Sequence, residues 1–197
     1  MYTKDAIRYA LNMADQATMR SLATIEDAPL TFPTAKGGCH PLWVMGHLAF
    51  VEGVTHEMLG GGANPVAHWA EIFGQDTVPV ADAAQYPPFA KVRDKYMQLR
   101  YRNLQLLDSM TEADLDKPTP WQPKGLEEHF ATFGRAFLTI ALHQMAHRGQ
   151  LTDAIRAAGA ISQMARGTVG ASGRPAPMSR NWWIPETAMA RAARNAN

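Results

Sequence analysis

Two histidines stand where apolar residues belong on a long helical stripe, and that feature most constrains how the chain can fold. Phe133, Phe137, Ile140, His143, His147, Leu151 and Ile155 recur at spacings of three and four, the period of one helix face. His143 and His147 are four apart and lie one above the other on that face. Burying a polar ring without partners costs on the order of 1–3 kcal/mol. Either the stripe packs against something that satisfies both imidazoles, whether protein groups, water or a bound ion, or one ring is buried and the other exposed.

Three more segments read as helices and none as a strand, so the expected class is all-α. The first covers Thr3 to Ala23, with Ile7, Leu11, Ala14, Thr18 and Leu22 on one face. The second starts after His40, with Pro41 at the first helical position where its missing N–H costs nothing; Gly60-Gly61-Gly62 stops it. The third begins near Pro88 and alternates Phe89, Val92, Tyr96, Leu99, Asn103, Leu106 and Met110. The stripe of the opening paragraph belongs to the fourth, expected from about Leu126 to Ala158 and closed by Gly159. Between helices two and three lie about 27 residues, with a short helix expected around Val66–Phe73. A plain hairpin needs only a few residues, so this link permits a crossover. Residues 111–125 read as a turn-rich loop with three prolines.

A chain of 197 residues fits one domain with a real core. We expect a bundle over residues 1–159 and a basic C-terminal extension over 160–197, packed on or beside it. From residue 160 onward there are five arginines and one acid, so the extension is +4 and the body −3. It carries the Trp182-Trp183 pair, expected to cap the bundle, and PETAMARAARNAN, which suits a final short helix. A net charge of +1 gives no nucleic-acid footprint. No apolar run approaches the ~20 residues of a membrane span, and the N-terminus lacks the apolar stretch of a signal peptide. The lone cysteine, Cys39, rules out an internal disulfide. A cytoplasmic protein is expected.

The second helix carries its own misplaced histidine, in the stripe Trp43, His47, Phe50, Val54, Met58. One histidine there and two on the fourth helix make the three-nitrogen set of a catalytic-type metal site, with a fourth position open for water or substrate. The alternative is a group of core histidines bonded to backbone or water. His40, directly before Pro41, suits a capping role better than ligation. His56, His68 and His129 have no usable partner spacing and read as ordinary surface or structural histidines. Pocket candidates are Trp43, Phe50, Tyr96 and Asn103, the last being equally suited to a core amide role. Glu52 and Glu57 are expected in solvent, and Arg148 should point away from the metal. No glutamate precedes a histidine by three, which removes the di-iron bundle pattern. Neither H-E-x-x-H nor a nucleotide-binding glycine loop occurs.

HPLWVMGHLAFVEG, followed about ninety residues later by HQMAHRGQLTDAIRAAG, resembles the DinB/YfiT-like family of metalloenzymes. The likeness covers roughly residues 3–159. It implies an up-down-down-up four-helix bundle with a long crossover between helices 2 and 3. It also implies one divalent metal ion on His47, His143 and His147, with zinc or nickel first and iron or manganese compatible with three imidazoles. Characterised members include thiol-dependent S-transferases and a thiol-dependent isomerase. The resemblance therefore implies a metal-dependent transferase using a low-molecular-weight thiol and a small-molecule substrate. The alternatives are a metal-dependent hydrolase at the same site, or a non-catalytic stress-associated bundle with a structural metal. Relatives often self-associate, so a homodimer is implied as well. The second-helix segment also resembles the DinB-like domain of sulfoxide synthases, but this chain is too short for the second domain those enzymes carry.

Overall fold

The computed structural model describes residues 2–25, 30–31 and 38–157. These form α1 (Thr3–Ala23), α2 (Pro41–Met58), a short α3 (Ala70–Phe73), α4 (Phe89–Ser109) and α5 (Phe133–Ala157). Among the described residues there is no strand, only an isolated antiparallel bridge between Pro118 and Thr132. The class is all-α. The Gly159 stop, the Trp182-Trp183 pair and the extension 160–197 lie outside the described residues.

The stripe on α1 buries throughout, whereas Phe50 and Val54 of α2, Phe89, Leu106 and Met110 of α4 and Phe133 of α5 are only half-buried. Ile7, Leu11, Ala14, Thr18 and Leu22 of α1 are all buried. α1 packs chiefly on α5 and α2 chiefly on α4, while α2 also touches α5 and α3. This leaves α2 enclosed nearly all round, in keeping with its run of apolar and small residues. Pro41 opens the helix, and the Nδ1 of His40 accepts the Trp43 N–H at 3.0 Å, a side-chain N-cap. Beyond Met58, Gly60 and Gly62 take φ of 79° and 108°, conformations that glycine adopts without a Cβ clash.

α5 begins at Phe133 rather than near Leu126. The preceding residues are drawn into other pairings: Thr119 N–H reaches Ala131 O and Phe133 N–H reaches Lys117 O. Thr132 then supplies the cap, its Oγ1 accepting the Arg135 N–H at 3.3 Å.

The core is divided by a polar layer. One apolar cluster gathers Leu22, residues 42–45, Leu48, Val92, Tyr96, Leu99 and Leu151, and the other gathers Ile7, Leu11, Met58, Leu104, Leu107, Phe137 and Ile140. On each long helix, buried polar residues fall between the two groups: Asp15 and Thr18, Glu52 and His56, Arg100 and Asn103, and Gln144. Arg100 Nη2 lies 2.9 Å from Glu52 Oε1 and also meets Gln144 Oε1. Tyr96 donates to Asp15 at 2.7 Å and accepts from Gln144, whose amide also reaches Thr18. Asn103 donates to the Glu52 carboxylate and backbone carbonyl, and its Oδ1 lies 2.9 Å from His56 Nδ1.

Glu52 is therefore not in solvent. Its i+4 partner His56 lies on the same α2 face, which meets Arg100 and Asn103 of α4. Burial raises the Glu52 carboxyl pKa, with Arg100 opposing. Burial likewise works against the Arg100 charge, but Glu52, Tyr96 and Asp15 outweigh it and hold that pKa above its usual value. Removing one partner of a buried pair leaves the other charge uncompensated, a cost of about 3–5 kcal/mol. Arg100→Met should lower the free energy of unfolding in urea by that amount. A loss below about 1 kcal/mol would show that Glu52 is hydrated rather than dependent on Arg100.

Candidate metal centre

His47 from α2 and His143 and His147 from α5 come together where those two helices meet. Each offers one ring nitrogen, and the three lie within 4.8 Å of one another. His143 Nε2 is 3.3 Å from His47 Nε2 and 3.0 Å from His147 Nε2. Among the described residues no fourth histidine, cysteine or carboxylate joins them. His47 and His147 are 7% and 9% exposed, and His143 is half-buried.

The other ring nitrogens decide what those Nε2 atoms can be. His47 Nδ1 lies 2.7 Å from the Phe73 carbonyl oxygen, which can only accept, so Nδ1 carries the proton. His147 Nδ1 likewise faces Gln150 Oε1 at 2.7 Å. In their neutral forms both rings then point an Nε2 lone pair at His143. His143 can offer at most one proton from Nε2, so one of the two contacts stays unsatisfied. Its own Nδ1 is buried without a partner. Hydrogen bonding alone cannot satisfy this cluster.

A divalent ion would take up the three Nε2 lone pairs, leaving only His143 Nδ1 without a partner. Imidazole nitrogens about 2.0–2.1 Å from a tetrahedral ion stand about 3.4 Å apart, close to the two separations found here. Protonation is disfavoured as well. Burial lowers the His47 pKa to about 4, with the Phe73 bond opposing, and lowers His143 to about 3, helped by repulsion from His147 and His47. Burial also lowers His147, opposed by Gln150. At neutral pH the three rings are neutral and their lone pairs are available, as ligation requires.

Around the triad, Trp43 stacks on His47 with centroids 4.8 Å apart and planes 8° from parallel. Its indole N–H donates to Thr77 Oγ1 at 3.0 Å. Trp43 thus forms an apolar wall at the site, and Phe50 packs partly buried in the same apolar cluster. The hydrogen bonds of Tyr96 and Asn103 go instead to the interior polar layer. Glu57, His68, His129 and Arg148 are exposed, while His56 is buried on Asn103. His40 spends both nitrogens elsewhere, Nδ1 on the Trp43 N–H and Nε2 on the Val80 carbonyl at 2.9 Å. The Phe73 carbonyl and Gln150 carry no signal in spacing, since one is a backbone atom and the other an ordinary helical glutamine. Gln144 did carry one: it follows Ile140 by four and precedes Leu151 by seven, inside the buried stripe.

Three neutral imidazoles converging between two helices of an all-α domain mark a metal-binding type of site. Residues 10–151 match the DinB superfamily, and the chain belongs to that family. No curated protein matches it. None of its described helices is long and apolar enough to cross a membrane.

His40→Ala tests the division of labour between cap and ligands. Losing the cap and the Val80 bond together should cost about 2 kcal/mol in urea unfolding and leave metal uptake unchanged. Loss of metal together with stability would bring His40 into the ligand set.

Proposed function

We propose that this DinB-like protein is a metal-dependent enzyme in which His47, His143 and His147 hold one divalent ion, and that it transfers a low-molecular-weight thiol to a small electrophilic substrate. The observation that carries the reading is the convergence of three Nε2 lone pairs with no fourth protein ligand among the described residues. Three protein ligands with a position left over are the pattern of catalytic sites, whereas structural sites close their coordination with a fourth. An ion so held supplies Lewis acidity, which lowers the pKa of a thiol or water in the remaining position. The chain's own residues hold and dry the site. Phe73 O and Gln150 Oε1 keep the His47 and His147 protons on Nδ1, and the Trp43 ring shields one side of His47. Zinc and nickel are our first candidates for the ion.

We infer in addition that the four long helices form an up-down-down-up bundle. Support comes from the order of contacts: along α1 and α5 the Ile7/Phe137 cluster precedes the polar layer and the Leu22/Leu151 cluster follows, while α2 and α4 run through them in reverse. A homodimer is also proposed. Leu138, Leu142 and Met145, spaced along the outer face of α5 and 41%, 71% and 42% exposed, support it.

Untagged protein analysed by plasma mass spectrometry should carry about one divalent ion per chain, and His47→Ala, His143→Ala and His147→Ala should each lose it while keeping helix content. The loaded protein should then consume thiol in the presence of an electrophile, and chelation should stop it. Retention of stoichiometric metal by His147→Ala would refute the ligand assignment. Metal uptake with ester or amide hydrolysis in place of thiol transfer would move the reading to a hydrolase.

A further inference from the structure

His47 is fixed by a different part of the chain from the two histidines it meets. Its Nδ1–H donates to the carbonyl of Phe73, the last residue of α3. The face of its ring lies on Trp43, and Trp43 is tied to Thr77, whose hydroxyl donates to Gly74 O at 2.9 Å. The segment that starts at α3 therefore acts on the ring twice, directly through Phe73 O and indirectly through Thr77 on the α2 residue Trp43. His143 has no such partner at Nδ1, and His147 has only a glutamine of its own helix.

What seats α3 against α2 is a missing side chain. A Cβ on Gly46, the residue before His47, would lie 2.1 Å from Phe73 Cε1 and 2.3 Å from Cδ1 and Cζ. The Phe73 ring thus rests on bare α2 backbone. It is fully buried, with Trp69 edge-on and Tyr86 stacked, each at 5.5 Å. A methyl group at position 46 must displace the Phe73 ring, and a ring held between Trp69 and Tyr86 would draw α3 and the Phe73 carbonyl with it.

We propose that Gly46 is a positioning residue of the metal centre: it lets Phe73 sit on α2, and the Phe73 carbonyl then holds His47 in its Nδ1–H tautomer with Nε2 facing His143 and His147 before any ion binds. The inference rests on the three-histidine reading of the site. An outer partner that sets ring orientation and tautomer commonly accounts for about 10- to 100-fold in metal affinity.

The test has two readouts on the untagged full chain. Long-range proton–nitrogen spectra of the metal-free wild type should show His47 protonated on Nδ1, with slow exchange of that proton. Cobalt(II) titration of Gly46→Ala should give an affinity about 10- to 100-fold weaker than wild type, and adding Phe73→Leu to that variant should recover most of the loss by making room for the methyl. An Nε2–H tautomer at His47 overturns the proposal, and so does a Gly46→Ala variant with wild-type affinity. Should Gly46→Ala fail to fold, the wild-type tautomer alone decides. Should the wild type bind no cobalt, the metal reading fails, while the tautomer still answers whether Phe73 sets His47.

Discussion

Arg100 carries a charge into the middle of the interior, and the arrangement of the long helices follows from how that charge is matched. A guanidinium deprived of water needs an opposite charge and acceptors at close range. Glu52 of α2 supplies the charge and Gln144 of α5 an acceptor. Tyr96, one turn away on α4, links the same group to Asp15 of α1. No single helix could furnish these partners. The demand of one side chain thus draws on all four long helices, and apolar clusters fill the space on either side of the polar layer.

The histidine cluster shares a boundary with that layer. Gln144 follows His143 in sequence but is fully buried among polar groups, whereas His143 lies on the flank of α5 toward α2. Consecutive residues of α5 therefore serve two separate functions, one in holding the interior and one in gathering lone pairs. The same desolvation acts on both with different results. In the layer, charge pairing outweighs burial at Arg100 and the guanidinium stays charged; at the triad no acid among the described residues is at hand, so the rings stay neutral and able to ligate.

The helices, their faces and the three ligand candidates were legible in the sequence because each rests on helical period. His47, His143 and His147 interrupt apolar stripes, and two stripes that pack together bring their interruptions together. The start of α5 was not legible, since backbone pairing between residues 117–119 and 131–133 overrides a pattern that looks helical from Leu126. Glu52 was misread for a related reason. An acid on a helix is ordinarily solvated, and only the enclosure of α2 on several sides puts its second face in the interior. The Phe73 carbonyl could not have been read at all, because backbone atoms carry no sequence signal.

The division of the core by a polar layer also settles the vertical register of the helices. Apolar side chains are largely interchangeable along a bundle, so a core made only of leucine and phenylalanine tolerates sliding of one helix past the next. Here a slip of one turn, about 5.4 Å, would carry Arg100 out of reach of Glu52 and Gln144 and lodge it against Leu or Phe. Because the histidines sit at fixed steps from Glu52 on α2 and from Gln144 on α5, the alignment that satisfies the arginine also brings the imidazoles level with one another.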